Sequence, residues 1–300
     1  MLEFADPMID LYIANRAFMT TIDIHTHVIS TDTARHPLMP LGGTQSNWPR
    51  DRPMPFEKLV EAMDAAGVDK AAVMQASTPY GHDNSYLADA IAAHPTRFTG
   101  VFSVDVLASV AVEKMRYWLD RGFSGMRLFT IGGTMPGQAT WFDDPRSFPT
   151  WEYASNIGIP VCMQMTREGF PQLRRTLDKF PNAKIILDHC TRPHLLDGAP
   201  YATDQPLFDL TTYPTVFLKI TPRNFAPPDW GKANAATFFR KFVDTFGGKR
   251  MAWGSNFPAT EGPLAEILRK ARTVPQCLDA DDREWIFSKT AQTLYPVLNG

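Results

Sequence analysis

Cysteine is scarce in this chain of 300 residues, which has only Cys162, Cys190 and Cys277. Three scattered thiols cannot build a disulfide framework or a cysteine-rich zinc site, so the fold has to rest on a hydrophobic core. Cys162 lies in an apolar run and reads as a small buried hydrophobe, whereas Cys190 directly follows His189 and so adjoins a candidate site. Neither sign of charge dominates. The 30 Lys and Arg against 32 Asp and Glu leave a formal net charge of −2, which argues against nucleic acid or an acidic membrane as a partner. No apolar run reaches the roughly 18 residues that a membrane-spanning helix requires. The opening stretch MLEFADPMIDLYIANRAFMT carries acids where a signal peptide needs a basic region, so residues 1–20 read as an N-terminal arm. Met19, just ahead of the first apolar run, is an alternative start. Few thiols and no targeting segment lead us to expect a reducing, cytoplasmic location. A Gly-rich phosphate fingerprint is also missing after the first strand, which argues against a doubly wound nucleotide-binding sheet.

What the chain does have is eight short apolar runs: 22–28, 70–76, 98–104, 125–129, 160–165, 184–189, 216–221 and 251–258. Their near-continuous Val, Ile, Leu and Met content suits parallel strands buried on both faces. The segments between them are long enough for helices. In 55–66, Phe56, Leu59, Val60 and Met63 recur at i, i+3, i+4 and i+7, and 83–94, 107–121, 168–180 and 261–273 show comparable stripes. Asp281 or Asp282 would cap a last helix carrying Trp285, Ile286 and Leu294. Eight strands alternating with helices predict a single α/β domain over residues 21–300, a (β/α)8 TIM barrel with a C-terminal helix. Loops entering the strands are short turns, while those leaving them include 29–54, 130–144 and 222–232. Barrel enzymes build their sites from the loops after the strands, so this asymmetry points to an enzyme. Loop 130–144, with its glycines and Trp141, has the composition of a flap.

Chemistry-bearing side chains gather at the strand ends. The first strand ends in His25-Thr26-His27, and strand alternation puts both imidazoles on one side. The second leads to Ser77, Tyr80 and His82, and the fourth offers Arg127. The sixth ends in Asp188-His189 with Arg192 behind it, the seventh offers Lys219 and then Arg223, and the eighth ends in Ser255-Asn256. In a barrel these positions share one mouth. Neighbouring imidazoles can grip a metal, share a proton or polarise a carbonyl, and guanidinium groups pair bidentately with carboxylates.

At this point the chain resembles the amidohydrolase superfamily. IDIHTHV is similar to the first-strand motif, LDHCTRP to the sixth and WGSNFP to the eighth, with MQASTPYGHDNS, GMRLF and ITPRNF at matching strand ends. The resemblance covers residues 21–296 and is to the amidohydrolase 2 branch, in particular its 2-pyrone-4,6-dicarboxylate lactonases and related lactone hydrolases. It implies that His25, His27 and His189 bind a metal or polarise the carbonyl. It also implies that Ser77, Tyr80 and His82, with Arg127, Arg192 and Arg223, bind the substrate.

Two departures bear on the reaction. Where the family presents Asp on the eighth strand, this chain has Asn256, an amide that can orient water but has no useful basicity near neutral pH. Met163-Gln164-Met165 stands where metal-dependent members carry His. The cofactor expectation is therefore none or one divalent metal, zinc being the ion best suited to three imidazoles. The expected activity is hydrolysis of a small anionic cyclic substrate, a lactone of dicarboxylate type. His189, His82 or a metal-bound hydroxide would activate water that Asn256 positions. The alternatives are lactone isomerisation or nonoxidative decarboxylation on the same barrel, or a binding protein without turnover. Assembly into a homo-oligomer is left open.

Overall fold

The computed structural model describes residues 20–131, 137–227 and 230–299. Nearly all of the expected N-terminal arm, Met19 included, and residues 132–136 of the candidate flap lie outside the described residues. The eight strands are β1 (Ile22–Thr26), β2 (Lys70–Met74), β3 (Phe98–Phe102), β4 (Phe123–Phe129), β5 (Pro160–Gln164), β6 (Lys184–Leu187), β7 (Val216–Ile220) and β8 (Met251–Trp253). They pair in chain order as one parallel sheet. The sheet curls until its ends meet. Thr26 bridges Phe257, Asn256 N donates to His25 O at 2.7 Å, and His27 N donates to Phe257 O at 2.9 Å. Gly254 permits the approach, since a Cβ there would lie 2.4 Å from Cβ of His25. The architecture is the nearly closed (β/α)8 barrel that the strand count predicts.

The helical stripes appear between the strands. Phe56–Ala66 buries Leu59 and Met63 and stops at Gly67, whose φ of 71° is the left-handed conformation that closes many helices. Ser85–Ala93, Ala111–Leu119, Phe170–Lys179 and Leu264–Thr273 fill the other expected segments. One expectation is corrected: the last helix is capped by Asp279, not by Asp281 or Asp282. Asp279 has extended backbone and accepts from Asp282 N, because the cap must be the residue just outside the helical turn. Asp281 and Asp282 lie within that first turn, where their charges favour the helix dipole. The helix then passes through a π-helical segment, Trp285–Lys289, before Thr290–Leu294.

Two apolar layers hold the barrel. Inside, Ile22, Ile24, Ala72, Val101, Ile186 and Ala252 form a cluster that Leu294, Tyr295 and Leu298 close at one end. Outside, helix side chains such as Leu59, Leu173, Phe242 and Leu268 pack on the other strand faces. Fully burying each large apolar side chain contributes roughly 1.5–3 kcal/mol, so the two layers dominate the favourable terms.

β6 and β8 give way to left-handed backbone within their apolar runs, and the reason bears on the site. His189, Cys190, Thr191 and Arg192 have φ of 50–58°, and Asn256 has φ of 54°. Left-handed backbone cannot continue a ladder and costs on the order of 1 kcal/mol per non-glycine residue. Such strain tends to concentrate at functional sites. At the other edge β1 carries a register irregularity between Asp23 and Thr26, where Asp23 Oδ1 accepts from His25 N at 2.8 Å. Simple alternation would put Ile24 and His25 on opposite faces. The irregularity instead lets Ile24 pack in the interior cluster while His25 reaches Asp188.

Candidate active site

His25, His27 and His189 meet at the strand ends. The His25 ring centroid lies 5.2 Å from that of His27, edge to face, and 4.9 Å from that of His189. Two of the three rings are held from behind. His27 Nδ1 is 3.0 Å from Met74 O, a carbonyl that can only accept, so Nδ1 carries the proton and Nε2 keeps its lone pair. His189 Nδ1 is 2.8 Å from Thr221 Oγ1. His25 is fully buried and neither of its ring nitrogens has a hydrogen-bond partner. Burial lowers the pKa of all three. For His27 burial, with the Arg127 charge second, brings it down to about 3. For His25 the cations Lys219 and Arg127 add to burial, while for His189 the Asp188 charge opposes it. All three imidazoles are neutral at pH 7.

A buried ion network lies behind them. Asp188 Oδ1 is 2.7 Å from Lys219 Nζ and 3.8 Å from His25 Nδ1, and Asp188 Oδ2 is 3.3 Å from Arg127 Nε. Burial pushes the Asp188 carboxyl up, but Lys219 and Arg127 together outweigh it and hold it at about 2. Lys219 is fully buried, with Cys162 Sγ at 3.3 Å and Met74 Sδ at 3.5 Å as its weaker contacts. Arg127 also donates to Gln75 O at 3.2 Å and to Gln164 Oε1. Its five N–H groups are thus nearly all committed within the protein. Two cations share one carboxylate here, so the floor of the site is electropositive.

The other expected residues are distributed around this centre. Asn256 stands beside β1, and its Nδ2 donates to Thr260 Oγ1 at 3.0 Å, which leaves Oδ1 to accept from a ligand or water. Arg192 and Arg223 are exposed at the mouth, and neither guanidinium makes an ion pair or hydrogen bond to the described residues. Partial burial and then the neighbouring Arg192 charge lower the Arg223 pKa, and Arg223 in turn acts on His189, which places it close to the imidazoles. Arg192 also borders a small depression with Arg167 and Asp204. His82 Nδ1 is 2.8 Å from Ser103 Oγ, and both line a cleft of about 230 Å3 together with Arg127 and Trp141. Ser77 and Tyr80 are buried on the short helix Ser77–Tyr80 and do not line that cleft. Tyr80 OH accepts from Ser30 N at 2.8 Å, so its hydroxyl fastens the loop after β1. Trp48, from the same loop, lies over His27 with ring centroids 5.4 Å apart.

The donor set fits a resident divalent ion poorly. Two imidazoles with Nδ1 anchored and Nε2 free have the bearing of metal ligands, and the unpartnered His25 nitrogens could join them. Yet among the described residues no three or more His, Cys, Asp or Glu side chains converge as a ligand group. Asp188, the carboxylate beside the His25 ring, is already occupied by Lys219 and Arg127, whose charges would oppose a cation.

Asp188, Lys219, Gln164 and Thr221 belong to the site although the strand-end pattern assigns them no role in it. A signal was present, because a Lys inside the apolar run VFLKIT can be buried only with a partner of opposite charge.

Comparison with known proteins places this geometry among relatives. A family model described as amidohydrolase matches residues 22–297. An L-fucono-1,5-lactonase from Burkholderia ambifaria is 24% identical over 253 residues, covering 80% of this chain and 84% of that protein. A Pseudomonas putida structure provisionally named a 2-pyrone-4,6-dicarboxylic acid hydrolase superposes with a TM-score of 0.73 at 21% identity, covering 94% of this chain and 100% of that one. An amidohydrolase from Burkholderia multivorans with bound zinc gives a TM-score of 0.72 at 17% identity, covering 92% and 99%. At these identities the structural likeness speaks for the fold.

Proposed function

The chain belongs to the amidohydrolase family, and from that premise we propose that it hydrolyses a small anionic lactone. The observation that carries this reading is the joint placement of three neutral imidazoles and two rim guanidiniums, Arg192 and Arg223, that pair with no carboxylate among the described residues. The lactonase name of the Burkholderia ambifaria relative supports it. Arg192 and Arg223 hold the substrate carboxylate. His25 and His189 polarise the lactone carbonyl, and the Arg127 and Lys219 charges behind them offset the negative charge that develops on its oxygen. Water accepted by Asn256 Oδ1 gives its proton to Nε2 of His27, the nitrogen left unprotonated by the Met74 contact, as its oxygen attacks the carbonyl carbon. The ring C–O bond then breaks and the proton passes to the departing ring oxygen, which leaves a hydroxy acid. His27 is a weak base in the free protein, and the charge of the bound carboxylate raises its basicity.

The test is a mass-resolved assay on lactone carboxylates. The expected product is heavier than the substrate by one water, and His27→Gln lowers kcat by roughly 100-fold or more. Asn256 favours one second reading, because isomerisation or decarboxylation needs no carboxylate to activate water. An isomer of unchanged mass, or released carbon dioxide, would establish that reading in place of hydrolysis.

A further inference from the structure

We propose that the cleft beside the imidazoles is an apolar subsite, so that the substrate is an anionic lactone bearing an alkyl or aryl arm and not a polyhydroxylated one. The inference rests on the lactonase reading above and narrows its substrate class.

The cleft opens between the exits of β2, β3 and β4. Its volume of about 230 Å3 is smaller than the roughly 300–1,000 Å3 common for drug-sized ligands, and suits one ring or a short chain. It joins the reacting centre through Arg127. That side chain lines the cleft and donates to Gln75 O, and the carbonyl of the preceding residue, Met74, holds His27. Arg127, whose charge also acts on His27 and His189, is thus the side chain common to the cleft and the imidazole cluster.

The walls are mainly apolar: Leu41, Val106, Leu107, Phe129 and Trp141, with Leu41, Leu107 and Trp141 half-buried at the open edge. Of the polar side chains, Ser103 and Arg127 are engaged within the protein, while His82 and Asp105 stand at the exposed edge, each with one polar atom engaged. Ser103 Oγ faces His82 Nδ1 at 2.8 Å. Asp105 Oδ1 accepts from Leu107 N at 3.0 Å. Arg127 is committed to Asp188, Gln75 and Gln164. A hydroxylated arm lying against the apolar wall would leave water without gaining equivalent partners there, which penalises it, whereas an apolar arm gains from burial against Phe129 and Trp141.

Three non-hydrolysable probes test the preference on the full chain by calorimetry: oxocyclopentanecarboxylate, its phenyl derivative and its dihydroxy derivative. The phenyl probe is expected to bind at least about tenfold tighter than the unsubstituted one, and the dihydroxy probe no tighter than it. In Trp141→Ala and in Leu107→Ala the ratio of phenyl to unsubstituted affinity should fall to within about threefold. The proposal is overturned if the dihydroxy probe binds as tightly as the phenyl probe, or if the phenyl preference survives in both variants. Turnover of the matching lactones separates the two readings. A phenyl preference with no lactone opened would sink the hydrolase reading and leave the subsite standing. Preferred opening of the dihydroxy lactone would do the reverse.

Discussion

Removing the charge of Asp188 should destabilise the protein more than any substitution at the rim of the site. Its carboxylate is fully buried and is the anion shared by Lys219 Nζ at 2.7 Å and Arg127 Nη2 at 3.3 Å. The fall of its pKa from the ordinary 3.8 to about 2 corresponds to about 2 kcal/mol in favour of the charged carboxylate in the folded state. Asp188→Asn loses that term and also leaves two cations buried without an anion, so the total cost is roughly 3–5 kcal/mol. Lys219→Met is milder, since Arg127 still neutralises Asp188. The pair Asp188→Asn/Lys219→Met should therefore be less destabilised than the sum of the two, with a coupling of about 1–3 kcal/mol. Urea unfolding at pH 7 followed by circular dichroism measures all four proteins, and calorimetry should show a lowered Tm for Asp188→Asn. An Asp188→Asn protein within about 1 kcal/mol of the parent, or strictly additive losses, would refute the network as described.

Three further outcomes follow from the same geometry. His25, His27 and His189 are buried neutral, with pKa values below the ordinary 6.5 and that of His27 at about 3. The stability tied to keeping them neutral is fully present above pH 6.5 and is lost as pH falls from there, and for His27 the loss runs down to about pH 3 at about 1.4 kcal/mol per pH unit. Equal unfolding free energies at pH 7 and pH 5 would contradict this. Arg192→Ala and Arg223→Ala should each raise KM for a lactone carboxylate by roughly tenfold while changing kcat little, as expected for the loss of a charge-assisted hydrogen bond made in ground and transition states alike. A fall in kcat at constant KM would instead place the arginine on the reacting atoms. Protein purified without chelators should hold well under one equivalent of divalent metal and keep its turnover after chelation. One tightly held zinc whose removal abolishes turnover would overturn the account of the donor set.

The local pattern of the chain determined a good deal. Eight apolar runs became the eight strands, and the stripe at Phe56, Leu59, Val60 and Met63 became a helix, because these depend on neighbours within a turn or two along the chain. The location of His25, His27, Arg127 and His189 at strand ends was legible for the same reason. Other features were decided only when the barrel closed. The irregularity in β1 turns His25 toward Asp188, against simple alternation. The left-handed run from His189 to Arg192 and the left-handed Asn256 end two strands early, which no propensity of those residue types demands. The Asp188–Lys219–Arg127 network joins β4, the exit of β6 and β7, and the protonated nitrogen of His27 is set by a carbonyl on β2. Such contacts unite residues far apart in sequence, and their energies depend on burial that exists only once the sheet has curled and the helices have covered it. Sequence therefore named the side chains at the mouth, and tertiary structure decided their protonation, their partners and the shape of the space they share.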